Sequence, residues 1–331
     1  MITITPVLRA LVPVDSEAAA RISAPNYDEF QGDREIWDLL QGNPMSVLRV
    51  TMAHCDTPSP TDITAGESTA LLTRAKLNMD ELIESDLTRE VRNMLWVYEI
   101  EDPRRPDAPQ IGLGGMARTA QIRTEATPRG AIIRNEGIRE PKARGRADLI
   151  EATGAIIGIV NSAIDDTSGH ILAALEAHTA ASEPDFEATD PNVNRHRVWI
   201  VDDPSAIGRF RQLFAEEPHA YVADGNHRSA AAAMLGYESF LAVFFPAATM
   251  SIYPYNRLVT EAGDAASGLT AAIAKKFEIG GSLERAAHQP TETHQIGLYS
   301  PEQGWMHLRP RPGTFDPDNA VEAIDADIVQ R

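Results

Sequence analysis

Cysteine is almost missing: the 331-residue chain holds one, Cys55. A lone thiol excludes an internal disulfide framework, and no Cys-based zinc site is expected. It fits a reducing, cytoplasmic setting, and its default role is a small buried hydrophobe. Lysine is scarce too, with four against twenty-six arginines. Positive charge is short overall: the formal net charge is −18 and the sequence pI about 4.9. That excess argues against a nucleic-acid coat or an anionic membrane as partner. Long apolar runs are lacking. Gly154–Val160 and Phe240–Pro246 fall far short of the roughly 20 residues that span a bilayer. The first residues carry no basic start followed by a long apolar run, so no signal peptide is expected.

Several chemical motifs are missing as well. No Gly-Lys dipeptide occurs, which excludes a Walker A loop. There is no H-E-x-x-H and no G-x-S-x-G. The nine histidines are scattered without ligand spacing, and His219 with His227 makes a weak metal pair. Gly112, Gly114 and Gly115 lack the spacing of a dinucleotide fingerprint. No metal cluster built from protein ligands alone is expected.

What is present is globular: 43% hydrophobic and 24% charged residues, in a chain long enough for one large domain or two ordinary ones. Ser23–Phe30 reads as extended, Asp33–Leu40 as a short helix, and Met45–Thr51 as an alternating strand. Ser68–Glu84 and His170–Ala181 read as helices, Leu95–Ile100 and Ile111–Arg118 as partner strands. Ala147–Asn161 reads as a helix running into an apolar strand, and Glu183–Asn194 as an acidic loop. Arg197–Asp202 is a strand and Ser205–Glu217 an amphipathic helix. Phe240–Phe245 should be a central strand and Met250–Val259 another. Leu269–Phe277 is a helix, Gln295–Ser300 and Trp305–Arg309 a hairpin, and Ala320–Arg331 a surface helix. The pattern predicts an α+β fold with a mixed sheet flanked by helices.

The stretch His219–Leu235 carries the most chemistry. Tyr221 and Val222 form strand, Asp224, Gly225 and Asn226 form turns, and Ala230–Ala233 favours helix. A polar turn at a helix mouth meets unpaired N–H groups and a positive dipole end, which together make an anion site. His227 and Arg228 add donors. The plainer reading is a surface turn capped by Asp224 or Asn226.

Residues 118–146 carry a local excess of five positive charges, from Arg118, Arg123, Arg129, Arg134, Arg139, Lys142, Arg144 and Arg146 against Glu125, Glu136 and Glu140. Gly130–Glu136 reads as a strand delivering Asn135 and Glu136 at its end. A solvated basic face and an anion-facing surface both fit this segment. If Arg228 and the turn amides hold a polyphosphate, phosphoryl transfer also needs a metal carboxylate and a base for the acceptor hydroxyl. Asp224 could assist the metal or the acceptor hydroxyl, and Glu136 is the favoured base outside the turn.

Five segments carry a resemblance. They are Ser23-Ala-Pro-Asn-Tyr-Asp28, Asn43-Pro-Met-Ser-Val-Leu-Arg-Val50, Arg195-His-Arg-Val-Trp-Ile200, Tyr221-Val-Ala-Asp-Gly-Asn-His-Arg-Ser229, and Phe240–Pro246 with Tyr253-Pro-Tyr-Asn-Arg257. In this order they resemble the DUF1015 family across most of the chain. The Asp-Gly-x-His-Arg turn is also similar to that of free serine kinases of the ParB/sulfiredoxin-like superfamily. That likeness implies a ParB/sulfiredoxin-like core around residues 219–235, within a kinase-type region 1–259 followed by a small α+β portion, 260–331, packed on it. It implies ATP or ADP with Mg²⁺ near Asp224, and a small hydroxy amino acid such as serine as acceptor. Gly225, Asn226, His227, Arg228 and Ser229 would bind phosphate, and Glu136, Asp224 and His227 would serve catalysis. Asp28, Arg134, Asn135, Asn256 and Arg257 are candidate substrate contacts.

Two positions depart from the family pattern: Asn226 stands where histidine is usual, and Asn135-Glu136 where His-Glu is usual. Asparagine still caps and donates, but it cannot titrate. Sulfiredoxins carry a reactive cysteine at the position of Asn226, so thiol repair is not expected. A nucleotide-binding regulator without turnover and a degenerate scaffold are the alternatives to a kinase.

Overall fold

The structure, a computed structural model, describes residues 1–25, 30–64, 69–251, 256, 258, 266–281, 290, 292–319 and 321–330. The chain divides into two compact units, Met1–Ser251 and Ile252–Arg331.

Ten strands of the first unit make one sheet: β1 (Ile4–Thr5), β2 (Val7–Pro13), β3 (Thr88–Glu101), β4 (Gln110–Arg118), β5 (Ile132–Ile133), β6 (Val160–Ile164), β7 (Phe186–Thr189), β8 (Arg195–Val201), β9 (Ala220–Asp224) and β10 (Ser239–Pro246). Their order is β5-β9-β6-β10-β4-β3-β8-β7, with β1 on β4 and β2 on β3. β5 and β9 run parallel, as do β6 and β10, while the other pairs are antiparallel. The expected mixed sheet is thus present. The apolar run Phe240–Phe245 is central because both of its edges are paired, to β4 and β6.

The helices are α1 (Ser16–Ile22), α2 (Asp33–Gly42), α3 (Leu48–Thr51), α4 (Thr69–Glu84), α5 (Glu140–Thr153), α6 (His170–Thr179), α7 (Pro204–Phe214) and α8 (Asn226–Met234). One sheet face buries Leu95, Leu113, Ile164 and Phe244 against Ile171 and Leu175 of α6 and Ile207, Phe210 and Phe214 of α7. Phe214 and Phe244 meet edge to face at 5.7 Å. Trp96, Val91, Met94 and Val12 form a separate apolar cluster with Tyr98, Val198 and Ile200. Burial of this kind contributes about 25 cal/mol per Å² of apolar surface. Helix α5 packs on α8 through Ala147, Ile150 and Ala231, where small side chains let the backbones approach.

The glycines of β4 follow from their neighbours. Gly114 pairs with Trp96 across the ladder, and a Cβ on Gly114 would lie 1.8 Å from the indole. The missing side chain is what the ring occupies.

Four sequence expectations in the first unit need correction. Residues 45–51 are not a strand. Leu48 and Val50 are buried in different clusters while Arg49 points to Asp56, Glu81 and Asn78, so the alternation comes from a helical turn wedged between two layers. The strand expected over Gly130–Glu136 shrinks to Ile132–Ile133, the two residues that pair with Ala220 and Tyr221 of β9. The acidic loop contains β7, held by β8. The helix ahead of β6 starts earlier, at Glu140, and stops at Gly154 in the left-handed region (φ 67°).

The second unit holds α9 (Ala266–Lys276), a three-stranded antiparallel sheet of β11 (Phe277–Ile279), β12 (Ile296–Ser300) and β13 (Gly304–Pro310), and α10 (Asp325–Gln330). The expected hairpin is β12–β13. The C-terminal helix is shorter than expected and is not simply a surface helix, since Ile328 is fully buried with Phe277 and Leu308. The strand expected over Met250–Val259 falls largely outside the described residues.

Gly114→Ala is expected to cost roughly 1–3 kcal/mol, as overpacking does. Urea unfolding measures it, and shortening Trp96 to Leu in the double variant should return part of the loss.

Candidate functional site

Strand β9 ends at Asp224, and one residue, Gly225, turns the chain into α8. Gly225 has φ 103°, a conformation that side chains disfavour, and a Cβ there would stand 3.1 Å from the Val160 Cα. The turn therefore needs glycine twice over. Opposite Asp224, the β6–β9 register shifts between Asn161 and Ser162. Such an irregularity re-aims the strand end.

Arg228, one turn into α8, reaches back. Its Nη2 lies 3.1 Å from Asp224 Oδ2, and its Nη1 donates to the Ile159 carbonyl. The stem crosses Gly158, where a Cβ would be 2.7 Å from the Arg228 Cδ. Beside this pair opens a cavity of about 340 Å³. Its walls are apolar, from Val47, Leu48, Leu149, Ile150, Ile156 and Ile157, and its polar groups include Arg146, Asp224 and Arg228.

A second polar group collects on the other flank of the turn. Asn226 is buried, at 1% exposure. Its Nδ2 donates to Asn135 Oδ1 and lies 3.5 Å from Glu136 Oε1, while its Oδ1 has no hydrogen-bond partner among the described residues. Asn135 Nδ2 in turn donates to the Ala223 carbonyl at 3.3 Å.

His227 Nε2 accepts the Arg139 backbone N–H at 3.0 Å. The neutral ring therefore carries its proton on Nδ1, which sits 3.8 Å from Glu136 Oε1. Burial lowers the His227 pKa, Glu136 opposes the shift, and Lys142, Arg139 and Arg146 add to it. The imidazole is neutral at neutral pH.

Of the residues expected from sequence, Asn135, Glu136, Asp224, Gly225, Asn226, His227 and Arg228 lie together around this turn. Ser229 is buried and its hydroxyl donates to the Asn226 carbonyl at 2.9 Å, so it serves the helix from inside. Arg134 adjoins Asn135 in the chain. Asn256 is exposed and belongs to the second unit, while Asp28 and Arg257 lie outside the described residues. The basic segment divides: Arg123 closes its own loop onto the Gly130 carbonyl at 3.0 Å, whereas Arg139, Lys142 and Arg146 belong to the surroundings of His227.

Sequence reasoning passed over the cavity walls. Ile156 and Ile157 read only as part of an apolar run, and Val47 and Leu48 as a strand. Gly158, within that run, was the available sign of a close approach.

The family model described as "protein of unknown function (DUF1015)" matches residues 4–327, and the chain belongs to that family. A search of curated proteins and of solved structures returned no match.

Because the folded His227 has a lowered pKa, the unfolded chain takes up the proton first as pH falls. Its share of stability is therefore present above the unfolded value, about 6.5, and is lost below it. His227→Gln, which keeps an acceptor for the Arg139 N–H, should lose less stability than the wild type between about pH 7 and about pH 5. Equal losses in urea midpoint would remove His227 as the source.

Proposed function

We propose that the protein is a small-molecule phosphotransferase, moving a phosphoryl group from ATP or ADP to the hydroxyl of serine or a related hydroxy amino acid. The observation that carries this reading is the exit of β9 through Gly225 into the N-terminus of α8, flanked by Glu136 and His227 on one side and by the Asp224–Arg228 cavity on the other. In this reading the first amides of α8 receive the phosphates. Arg228 supplies fixed charge, with Arg146 at the cavity. Asp224, half exposed, suits a hydrated Mg²⁺, which would neutralise phosphate charge when bound.

Glu136 takes the acceptor's hydroxyl proton as the acceptor oxygen bonds to phosphorus and the bond to the leaving phosphate oxygen breaks. Its carboxylate is 57% exposed, and so within reach of an incoming hydroxyl. Neutral His227 holds Glu136 and the start of α5 in place. The same strand–glycine–helix unit supports a ParB/sulfiredoxin-like core over 219–235, and the single cysteine supports a cytoplasmic setting.

A second reading is a nucleotide-binding regulator without turnover. It is favoured by Asn226, which gives the site no titrating group where relatives have histidine, and by His227 Nε2 being occupied by a backbone N–H.

Melting with ATP, ADP and Mg²⁺, followed by phosphate transfer to serine, threonine and homoserine, separates the readings. No stabilisation by any nucleotide removes both; stabilisation without transfer favours the regulator. Glu136→Gln should keep nucleotide affinity and lose about 10²–10⁴-fold in kcat. A fully active variant removes Glu136 as the base. Arg228→Ala should weaken nucleotide binding about tenfold or more, the scale of one lost charged hydrogen bond. Unchanged affinity in calorimetry would sink the phosphate-site assignment.

A further inference from the structure

Outside this site, one group of side chains offers mixed metal-binding chemistry. Asp33 opens α2, and His54 and Cys55 follow one another in the short 3₁₀ turn Ala53–Cys55. One ligand atom from each lies within 4.8 Å of the other two. His54 Nε2 and Asp33 Oδ1 are 3.2 Å apart. Bonds of about 2.0–2.3 Å around a tetrahedral zinc ion put neighbouring ligand atoms roughly 3.2–3.7 Å apart. The His–Asp pair therefore already has the spacing, and the thiol lies within 4.8 Å of both.

The turn that carries the ligands is braced on both sides. Arg74 donates to the carbonyls of Ala53, at 3.2 Å, and Asp56, at 3.0 Å. Asn78 Nδ2 holds the Asp56 carboxylate at 2.9 Å. Trp37, on the same helix as Asp33, donates to the Thr57 carbonyl at 2.9 Å and so fastens the turn to α2. Supporting bonds of this kind fix ligand orientation in metal sites. Exposure is graded in the sense an entry path requires: Cys55 is fully buried, His54 is partly covered, and Asp33 is the most open.

We propose that Asp33, His54 and Cys55 form a binding site for a divalent zinc-type ion, with a fourth position for water or an external ligand. A set of one sulfur, one imidazole nitrogen and one carboxylate oxygen suits zinc better than magnesium or calcium, which prefer oxygen alone. Binding exchanges the Cys55 S–H bond for a metal–sulfur bond and releases one proton to solvent. Sulfur ligates zinc as the thiolate, so the metal takes the proton's place on Cys55. The site is independent of the phosphotransfer reading.

The test is a Co²⁺ titration of the full-length chain after treatment with chelator. The expected result is a thiolate-to-cobalt charge-transfer band that saturates at one equivalent, is displaced by Zn²⁺, and is accompanied by release of one proton. Asp33→Asn and His54→Ala, both at partly exposed side chains, should each weaken cobalt binding by more than the roughly 10–100-fold that an outer-shell partner is worth, with little change in melting temperature. Cys55→Ser should abolish the band; if that variant does not fold, the wild-type band and the other two variants decide. Absence of the charge-transfer band in the wild type overturns the proposal. So does a band of unchanged affinity in both Asp33→Asn and His54→Ala.

Discussion

Arg228 is the residue on which the candidate site depends. Its guanidinium joins three pieces of chain: the end of β9 through Asp224, the approach to β6 through the Ile159 carbonyl, and α8 by its own backbone. The magnitudes say which contact matters. Asp224 is half exposed, so the ion pair has nearly the value of a surface bridge, ~0–1 kcal/mol. The stem's passage over Gly158 is better protected, because the arginine side chain itself is only 16% exposed, while the carbonyl bond goes to exposed Ile159. Arg228 is thus first a fastening and second a charge. Gly158 is a glycine because that fastening leaves no room for a Cβ, whereas Gly225 answers to its positive φ and the Val160 backbone.

How much of this was legible in the sequence varies by element. Strand, turn and helix at 219–235 could be read because each local preference agreed with the tertiary answer: Tyr221 and Val222 in the strand, Gly225 at positive φ, alanines in the helix. The central place of Phe240–Phe245 was legible because a strand covered on both faces has no polar positions to alternate. Residues 45–51 were misread because alternation does not say which two layers receive the apolar residues. Val50 and Leu48 go to different clusters, and that division is set by α2 and α4, far away in sequence.

The candidate site shows the same split. The turn residues were found because turn chemistry is local, whereas the apolar walls were not, because Val47 and Ile157 become neighbours only through tertiary packing. Charge was a coarse guide. The basic stretch 118–146 reads as one feature in sequence, yet the fold spends Arg123 on its own loop and gives Arg139, Lys142 and Arg146 to His227. Protonation was not legible at all. The tautomer of His227 follows from a backbone N–H of Arg139, eighty-eight residues away, and its neutral state from burial, neither of which a spacing rule reports.

The alanine contact between α5 and α8 has a kinetic side. Ala147 and Ala231 are fully buried and pack with Ile150, so much of the contact is made by methyl groups that have no rotamers to exchange. A helix seated that way has little freedom to slide or roll, and the turn at its head inherits the rigidity. Any ligand arriving there meets a finished surface rather than one that must fold around it. A ligand bound there would leave little ordering entropy to lose on contact.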